Sequence, residues 1–178
     1  MQRRRKGPQL IRVVRRPGTR SEGVLSIGSA VLVCRLGRAG ITRFKREGDG
    51  ATPAGRLPLI GLYYRADRRL PPGRHLAVRP ITDDLGWCDD PTDGRYNRPV
   101  DLPFTPSHER MRRDDGLYDV VGILDWNFTR RVLGRGSAIF LHLARDDGTP
   151  TAGCIALSAA DMRRLLARLT PGCMFEVG

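Results

Sequence analysis

Only one stretch of this chain carries a helical period. Met162, Leu165, Leu166 and Leu169 fall at i, i+3, i+4 and i+7, one apolar stripe on a 3.6-residue repeat. Ser158 precedes the stripe, and Asp161 three residues on completes a capping-box pattern. Arg163, Arg164 and Arg168 take the other face near the C-terminal end, where cations are favoured, and Thr170-Pro171-Gly172 stops the helix. Elsewhere the apolar runs are too short for helices, and 21 Gly and 13 Pro in 178 residues keep breaking them. Strands are expected at residues 10–15, 30–35, 57–65, 118–124, 137–143 and 173–177. Gly37-Arg38-Ala39-Gly40 reads as the turn of a hairpin that pairs 30–35 with 41–45. Residues 66–118 are punctuated by prolines, and so long an irregular stretch inside a domain is often functional. Within it, 107–113 is expected to form one or two helical turns capped by Ser107. The predicted class is mainly β, with one helix in the C-terminal half packed on the sheets.

The length fits one domain with a core of its own. No apolar stretch is long enough to span a bilayer as a helix. The basic start, Arg3-Arg4-Arg5-Lys6, is followed by Gly7-Pro8-Gln9 rather than by the apolar segment of an export signal. The net charge is +12, from 31 Lys and Arg against 19 Asp and Glu, and Lys6 and Lys45 are the only lysines. Such a charge favours polyanions non-specifically. Yet there is no recognisable nucleic-acid module and no basic helix with interleaved aromatics, so no specific nucleic acid is expected as partner. Four cysteines, Cys34, Cys88, Cys154 and Cys173, are widely spaced without a C-x-x-C pair, which argues against a structural zinc site. No metal and no cofactor are expected. Cys88 and Cys173 read as buried thiols.

The chemistry gathers near one of these thiols. Ala138-Ile139-Phe140-Leu141 ends in His142, a turn-rich Arg145-Asp146-Asp147-Gly148-Thr149-Pro150 follows, and then comes Thr151-Ala152-Gly153-Cys154-Ile155. A thiol attacks as its thiolate and needs a base, for which histidine is the usual choice. The small Gly153 lets a substrate carbonyl approach the backbone, where the amides of Gly153 and Cys154 are candidate oxyanion donors. Asp119, Asp125 or a backbone carbonyl are equal candidates to orient His142.

These residues carry a resemblance. A hydroxyl residue at Thr151, then Gly153-Cys154-Ile155, with His142 upstream, resembles the Ser/Thr-x-Gly-Cys-hydrophobic signature of the L,D-transpeptidase (YkuD-like) catalytic domains. Gly48-Asp49-Gly50-Ala51-Thr52-Pro53-Ala54-Gly55 resembles the Thr-Pro-x-Gly element of that family, in the expected order. Gly86-Trp87-Cys88-Asp89-Asp90 and Tyr96-Asn97-Arg98-Pro99-Val100 look like features of a small stand-alone branch. The resemblance covers about residues 24–178, with 1–23 as a basic extension and first strand. It implies a β-sandwich with the catalytic segment on one sheet. It also implies a peptidoglycan L,D-transpeptidase of cell-wall biogenesis, in which Cys154 forms a thioester with a stem tetrapeptide, releases D-alanine and passes the acyl group to an amine. The alternatives are an L,D-carboxypeptidase or other cysteine hydrolase of the same fold, and a non-enzymatic basic module for polyanions. The implied partners are stem peptides, with carbapenem-type β-lactams as covalent inhibitors, and the implied state is a monomer. The implied compartment is the cell envelope or periplasm; without a visible signal, the cytoplasm stays open.

The sequence departs from the family in three places. Ala156 stands where many members have arginine, a residue assigned to the substrate carboxylate. Leu143 stands where many have glycine, and the spacing from His142 to Cys154 is short. Arg95, Arg98 and Arg145 are candidate replacements, since guanidinium pairs with carboxylate in a bidentate fork. Tyr96 and Trp87 are candidate groove-lining residues. His108, beside Glu109, reads as a surface residue, and His75 carries no functional expectation.

Overall fold

Alternation of inward and outward side chains builds the first half of the core. In the computed structural model, which describes residues 7–68 and 76–178, β1 (Leu10–Arg15), β2 (Glu22–Ile27) and β3 (Ala30–Arg35) form an antiparallel meander. Ile11, Val13, Leu25, Ile27, Leu32 and Cys34 point inward, while Val14, Val31 and Val33 face out. The partner of β3 is therefore the upstream strand β2, not residues 41–45. Gly28 at φ 55° and Ser29 make the tight turn between them, since a positive φ supplies the twist a two-residue hairpin needs. The expected downstream partner shrinks to β4 (Ile41–Thr42), which pairs in parallel with β5 (Thr52–Pro53). The glycines around it make a loop that folds back toward Thr151 instead of a hairpin.

The long strand β6 (Gly55–Tyr64) joins two half-sheets. Its first half pairs with the closing strand β14 (Met174–Val177), and its second half with β11 (Val120–Leu124). The carbonyl of Pro58 accepts from Asp125 N–H at 2.8 Å, while the N–H of Leu59 donates to the Cys173 carbonyl at 3.1 Å. Adjacent C=O and N–H groups of one peptide point in opposite directions, so β11 and β14 lie on opposite edges of β6. The ladder runs β11, β12 (Phe140–Leu143), β13 (Ile155–Leu157), β3, β2, β1, β14, β6 and returns to β11. The mainly β sandwich is thus closed along β6, which removes free edges there; β7 (Val78–Pro80) adds to β6 in parallel.

Helix α1 (Ala159–Leu166), the one helix among the described residues, begins where the sequence places it, with Ser158 Oγ accepting from Asp161 N–H at 3.1 Å. Met162, Leu165, Leu166 and Leu169 are all buried in the main core, beside Ile11, Leu25, Leu141, Leu143, Ile155 and Phe175.

A second layer covers the outer face of β11 and β12. It is a three-stranded sheet of β10 (His108–Arg110), β8 (Leu85–Cys88) and β9 (Arg98–Asp101). The helical turns expected at 107–113 are replaced by strand β10, paired with β8 from His108↔Cys88 to Arg110↔Gly86. The pairing buries Met111 beside Leu85 and Trp87, a period-two burial that a helix there would not give. His75 lies outside the described residues.

Candidate active site

Register alone brings the histidine and the thiol to one face. In β12 Leu141 and Leu143 enter the main core, so Phe140 and His142 point the other way. In β13 Ile155 and Leu157 enter the core, which turns Ala156, and Cys154 just before the strand, to the same outer face as His142. Parallel pairing sets Leu141 beside Ile155 and His142 beside Ala156. Cys154 therefore lies beside Phe140 and diagonal to His142. Both are nearly enclosed, at 8% and 7% exposure.

The two groups are held in neutral forms. His142 Nδ1 meets the Leu143 carbonyl at 2.8 Å, a contact that places the proton on Nδ1 and leaves Nε2 as the basic nitrogen. Burial lowers the His142 pKa to about 4, opposed by that carbonyl contact and helped by the nearby Arg113. Burial likewise pushes the Cys154 thiol up to about 12, and the charge of Glu109 adds to it, while the Phe140 amide pulls down. At rest the thiol donates to the Ala138 carbonyl at 3.2 Å and accepts from Phe140 N–H at 3.4 Å. It is turned along β12 toward Ala138. With that contact made, the S–H points at Ala138 O and not at the imidazole.

Asn97, fully wired, fixes that resting contact. Its Oδ1 accepts from Ala138 N–H and from Trp87 Nε1, both at 3.0 Å, and its Nδ2 donates to the carbonyls of Trp126 and Asn127. Ala138 adopts φ 50°, a strained conformation for a residue with a Cβ, and the Asn97 contact holds it there. Sequence reasoning quoted Asn97 only inside a motif. Its sequence neighbours, Tyr96 and Arg98, give no sign of its burial.

The two motifs quoted from the sequence meet in space. Gly153 has φ 145°, and a Cβ there would sit 2.8 Å from the carbonyl of Ala51 and 3.5 Å from Lys45 Nζ. Glycine is required on both counts. Thr52 is fully buried, and its hydroxyl accepts from Gly37 N–H at 2.8 Å. Lys45 is buried too, its ammonium paired with Asp49 and bonded to the Arg46 carbonyl at 3.1 Å. Thr151 shapes the turn from both sides: Oγ1 donates to the Cys154 carbonyl at 2.7 Å and accepts from Gly153 N–H at 3.1 Å. The Gly153 amide is thus engaged, whereas the Cys154 amide takes no part in that turn.

The remaining candidates are spread more widely. Tyr96 is fully buried with its hydroxyl on Glu47, which also accepts from Ser137 at 2.7 Å. Arg98 donates to the Phe128 carbonyl at 2.7 Å and lies 4.2 Å over that ring. Arg95 pairs with Asp93 and covers Phe104. Arg145 lies 3.7 Å from Asp115, close enough to His142 to act on its charge. Asp119 pairs with Arg68 and Asp125 with Thr129, so the Leu143 carbonyl is the group that orients His142. Trp87 packs edge-on against Phe140 at 5.1 Å, and Tyr118 stands over both Phe140 and His142 at 5.9 and 5.3 Å. Glu109, the partner of Tyr118, is hidden in the sequence because a helical reading of 107–113 masks the alternation that turns it inward, and the role of Tyr118 shows only through that contact.

A cysteine and an oriented histidine on one face of a mainly β domain are the groups that thiol acyl transfer requires. The model of the YkuD family, the L,D-transpeptidase catalytic domain, matches residues 5–177, and the chain belongs to that family. No curated protein matches the sequence significantly. No helix among the described residues is long and apolar enough to cross a membrane.

Proposed function

We propose that the protein is a peptidoglycan L,D-transpeptidase of the cell envelope. The observation that carries the reading is the pairing of Cys154 and His142 on the outer face of β12 and β13, with His142 Nδ1 tied to the Leu143 carbonyl and Nε2 left basic. A stem tetrapeptide enters over this face. The Cys154 sulfur leaves the Ala138 carbonyl, gives its proton to His142 and attacks the carbonyl of the third stem residue. The oxyanion is met by the Cys154 amide, with Gly153 giving room for the approach. D-Alanine takes the proton from His142 and departs, leaving a thioester. An amine from a second stem resolves it; water in that role gives a carboxypeptidase. Because thiol and imidazole both rest neutral, the proton moves only when substrate displaces the resting contact.

With Ala156 beside His142, the substrate carboxylate needs a cation from elsewhere. Arg145 and Arg113 are the guanidinium groups that act on His142, and Arg113 lies 5.1 Å over the Tyr118 ring. Arg113 is forked onto Asp115 and Arg98 donates to Phe128 and Asn97, so Arg145, 3.7 Å from Asp115, is the better placed for this role. Thr151 acts through the turn it closes, and Tyr96 through Glu47 and Ser137.

The test is mass spectrometry of the protein with disaccharide-tetrapeptide, beside Cys154→Ala. The expected result is loss of D-alanine with cross-linked dimers, absent in the variant. A carbapenem should add its mass to Cys154 alone. Folded protein that neither releases D-alanine nor takes the carbapenem refutes the reading.

A further inference from the structure

Glu109 is a buried carboxyl group on a mostly apolar face of the lid, and burial raises its pKa. In the small sheet, residues opposite each other share a face, and Glu109 is opposite Trp87. Leu85, Trp87 and Met111 on that face pack into the cluster that contains Phe140 and Cys154. Gly86, Cys88, His108 and Arg110 belong to the other face, where Cys88 packs with Val100 and Phe104. Glu109 therefore projects, between Trp87 and Met111, toward the nucleophile. Its carboxylate takes one hydrogen bond from the Tyr118 hydroxyl and has no ion-pair partner among the described residues. Arg113, the guanidinium stacked on Tyr118, is engaged by Asp115 at 3.0 Å instead. On the same face one step beyond Trp87, Asp89 has a buried Oδ1 with no hydrogen-bond partner.

In a chain with 31 basic and 19 acidic residues, two inward carboxylates left without a cation point to a cation supplied from outside. A carboxylate kept out of water without a cation is costly and is pushed toward its neutral form, the direction burial gives Glu109; a cation placed beside it would hold it ionised. We infer that Glu109, held by Tyr118, binds the primary ammonium of the acceptor and so selects aminolysis over hydrolysis of the thioester. This rests on the transpeptidase reading above. The acceptor arrives as R–NH3+ and gives one proton to the Glu109 carboxylate. Its nitrogen then attacks the thioester carbonyl; the C–N bond forms, the C–S bond breaks, and the second proton of the amine returns to the thiolate sulfur through His142. Water carries no charge for Glu109 to hold, so the carboxylate favours the amine at the step where the two compete. Bringing a positive charge beside Glu109 also removes the repulsion it exerts on a thiolate at Cys154.

The test measures the ratio of cross-linked dimer to tripeptide over a range of acceptor concentration, with disaccharide-tetrapeptide as donor and acceptor. Glu109→Gln, Glu109→Asp and Tyr118→Phe stand beside wild type. Glu109→Gln should lower the ratio about tenfold and raise the acceptor KM, Glu109→Asp should recover most of it, and Tyr118→Phe should fall between, as for loss of one charge-assisted contact. An unchanged ratio in Glu109→Gln overturns the inference, and so does an equal fall of dimer and D-alanine release, which marks a structural role. If Glu109→Gln does not fold, Tyr118→Phe, which keeps ring and charge, decides by the same ratio. A wild type that releases D-alanine but forms only tripeptide overturns this inference and leaves the family chemistry standing. A wild type that releases none overturns both.

Discussion

Cys34 and Cys154 occupy neighbouring parts of one closed sheet, and burial raises both thiols to about 12. By burial and acidity alone they are indistinguishable. Their surroundings differ. Cys34 points into the main core among Leu, Ile and Val side chains, where Gly23 is its hydrogen-bonding neighbour. Cys154 points through the opposite face of the sheet, onto Phe140, with His142, Glu109, Tyr118 and Lys45 around it. One face of β12 and β13 is all hydrocarbon; the other alternates an aromatic, an imidazole and a thiol. A thiol becomes a nucleophile through what it can exchange protons with, and the same acidity in a hydrocarbon core is inert. Lid and core also do different work. The core fixes the register of β12 against β13, and the lid supplies the polar groups over it.

The most forceful way to break this comparison is to remove each thiol in turn. Cys154→Ala should lower D-alanine release by about four orders of magnitude or more, to the level left by binding alone. Cys34→Ala should keep turnover and lose about 1 kcal/mol of stability for a small core void. Steady-state release with a urea melt checks both. Turnover surviving in Cys154→Ala, or vanishing in folded Cys34→Ala, would reverse the assignment.

Next in size is the proposed base. His142→Gln keeps a polar side chain at that place but cannot take the proton. Acylation should fall about 10²- to 10⁴-fold, read as the rate of carbapenem adduct formation on Cys154. A rate within about threefold of wild type would mean that the thiol is activated by another group.

The sequence disclosed most where local chemistry and tertiary packing agree. α1 was legible from its stripe and its Ser158–Asp161 cap, and β12 from the short apolar run that ends in His142, whereas the three-residue β13 is too short to show in the sequence. Two steps were hidden. The partner of β3 depended on Gly28 in a positive-φ turn, one glycine among many, and the more conspicuous Gly37–Gly40 cluster misdirected the pairing. Residues 107–113 are polar and carry a capping serine, so local propensity favours helical turns. Pairing with β8 and burial of Met111 override it. That one misreading concealed Glu109. Contacts between distant segments, such as Asn97 to Ala138 or Ala51 to Gly153, have no periodic signal at all.

The pH dependence of stability sharpens the contrast at an intermediate size. His142 has its folded pKa lowered from 6.5 to about 4, so the unfolded chain binds more protons between those values. Stability from this group is fully present above pH 6.5 and is lost as pH falls toward 4, by up to about 3 kcal/mol. Urea melts from pH 7.5 to 4.5 should show wild type losing more stability than His142→Gln. Parallel curves would place His142 in contact with water.

The smallest expected effect tests how the lid-side turn is held. Thr151 Oγ1 bridges Gly153 N–H and the Cys154 carbonyl, while Gly153 is also pinned by its close approach to Ala51. Thr151→Val keeps the shape and removes both hydrogen bonds, about 1 kcal/mol each. Acylation should drop about tenfold, the melting temperature should fall by a few degrees, and Thr151→Ser should restore both. If Thr151→Val acylates as fast as wild type, the close fit of Gly153 against Ala51 is sufficient to set the nucleophile. The hydroxyl would then belong to the folding of the turn and not to its chemistry. If Thr151→Ser restores the melt but not the rate, the threonine methyl contributes to the fit of the substrate. Either result locates, to one side chain, where the inert scaffold ends and the reactive face begins.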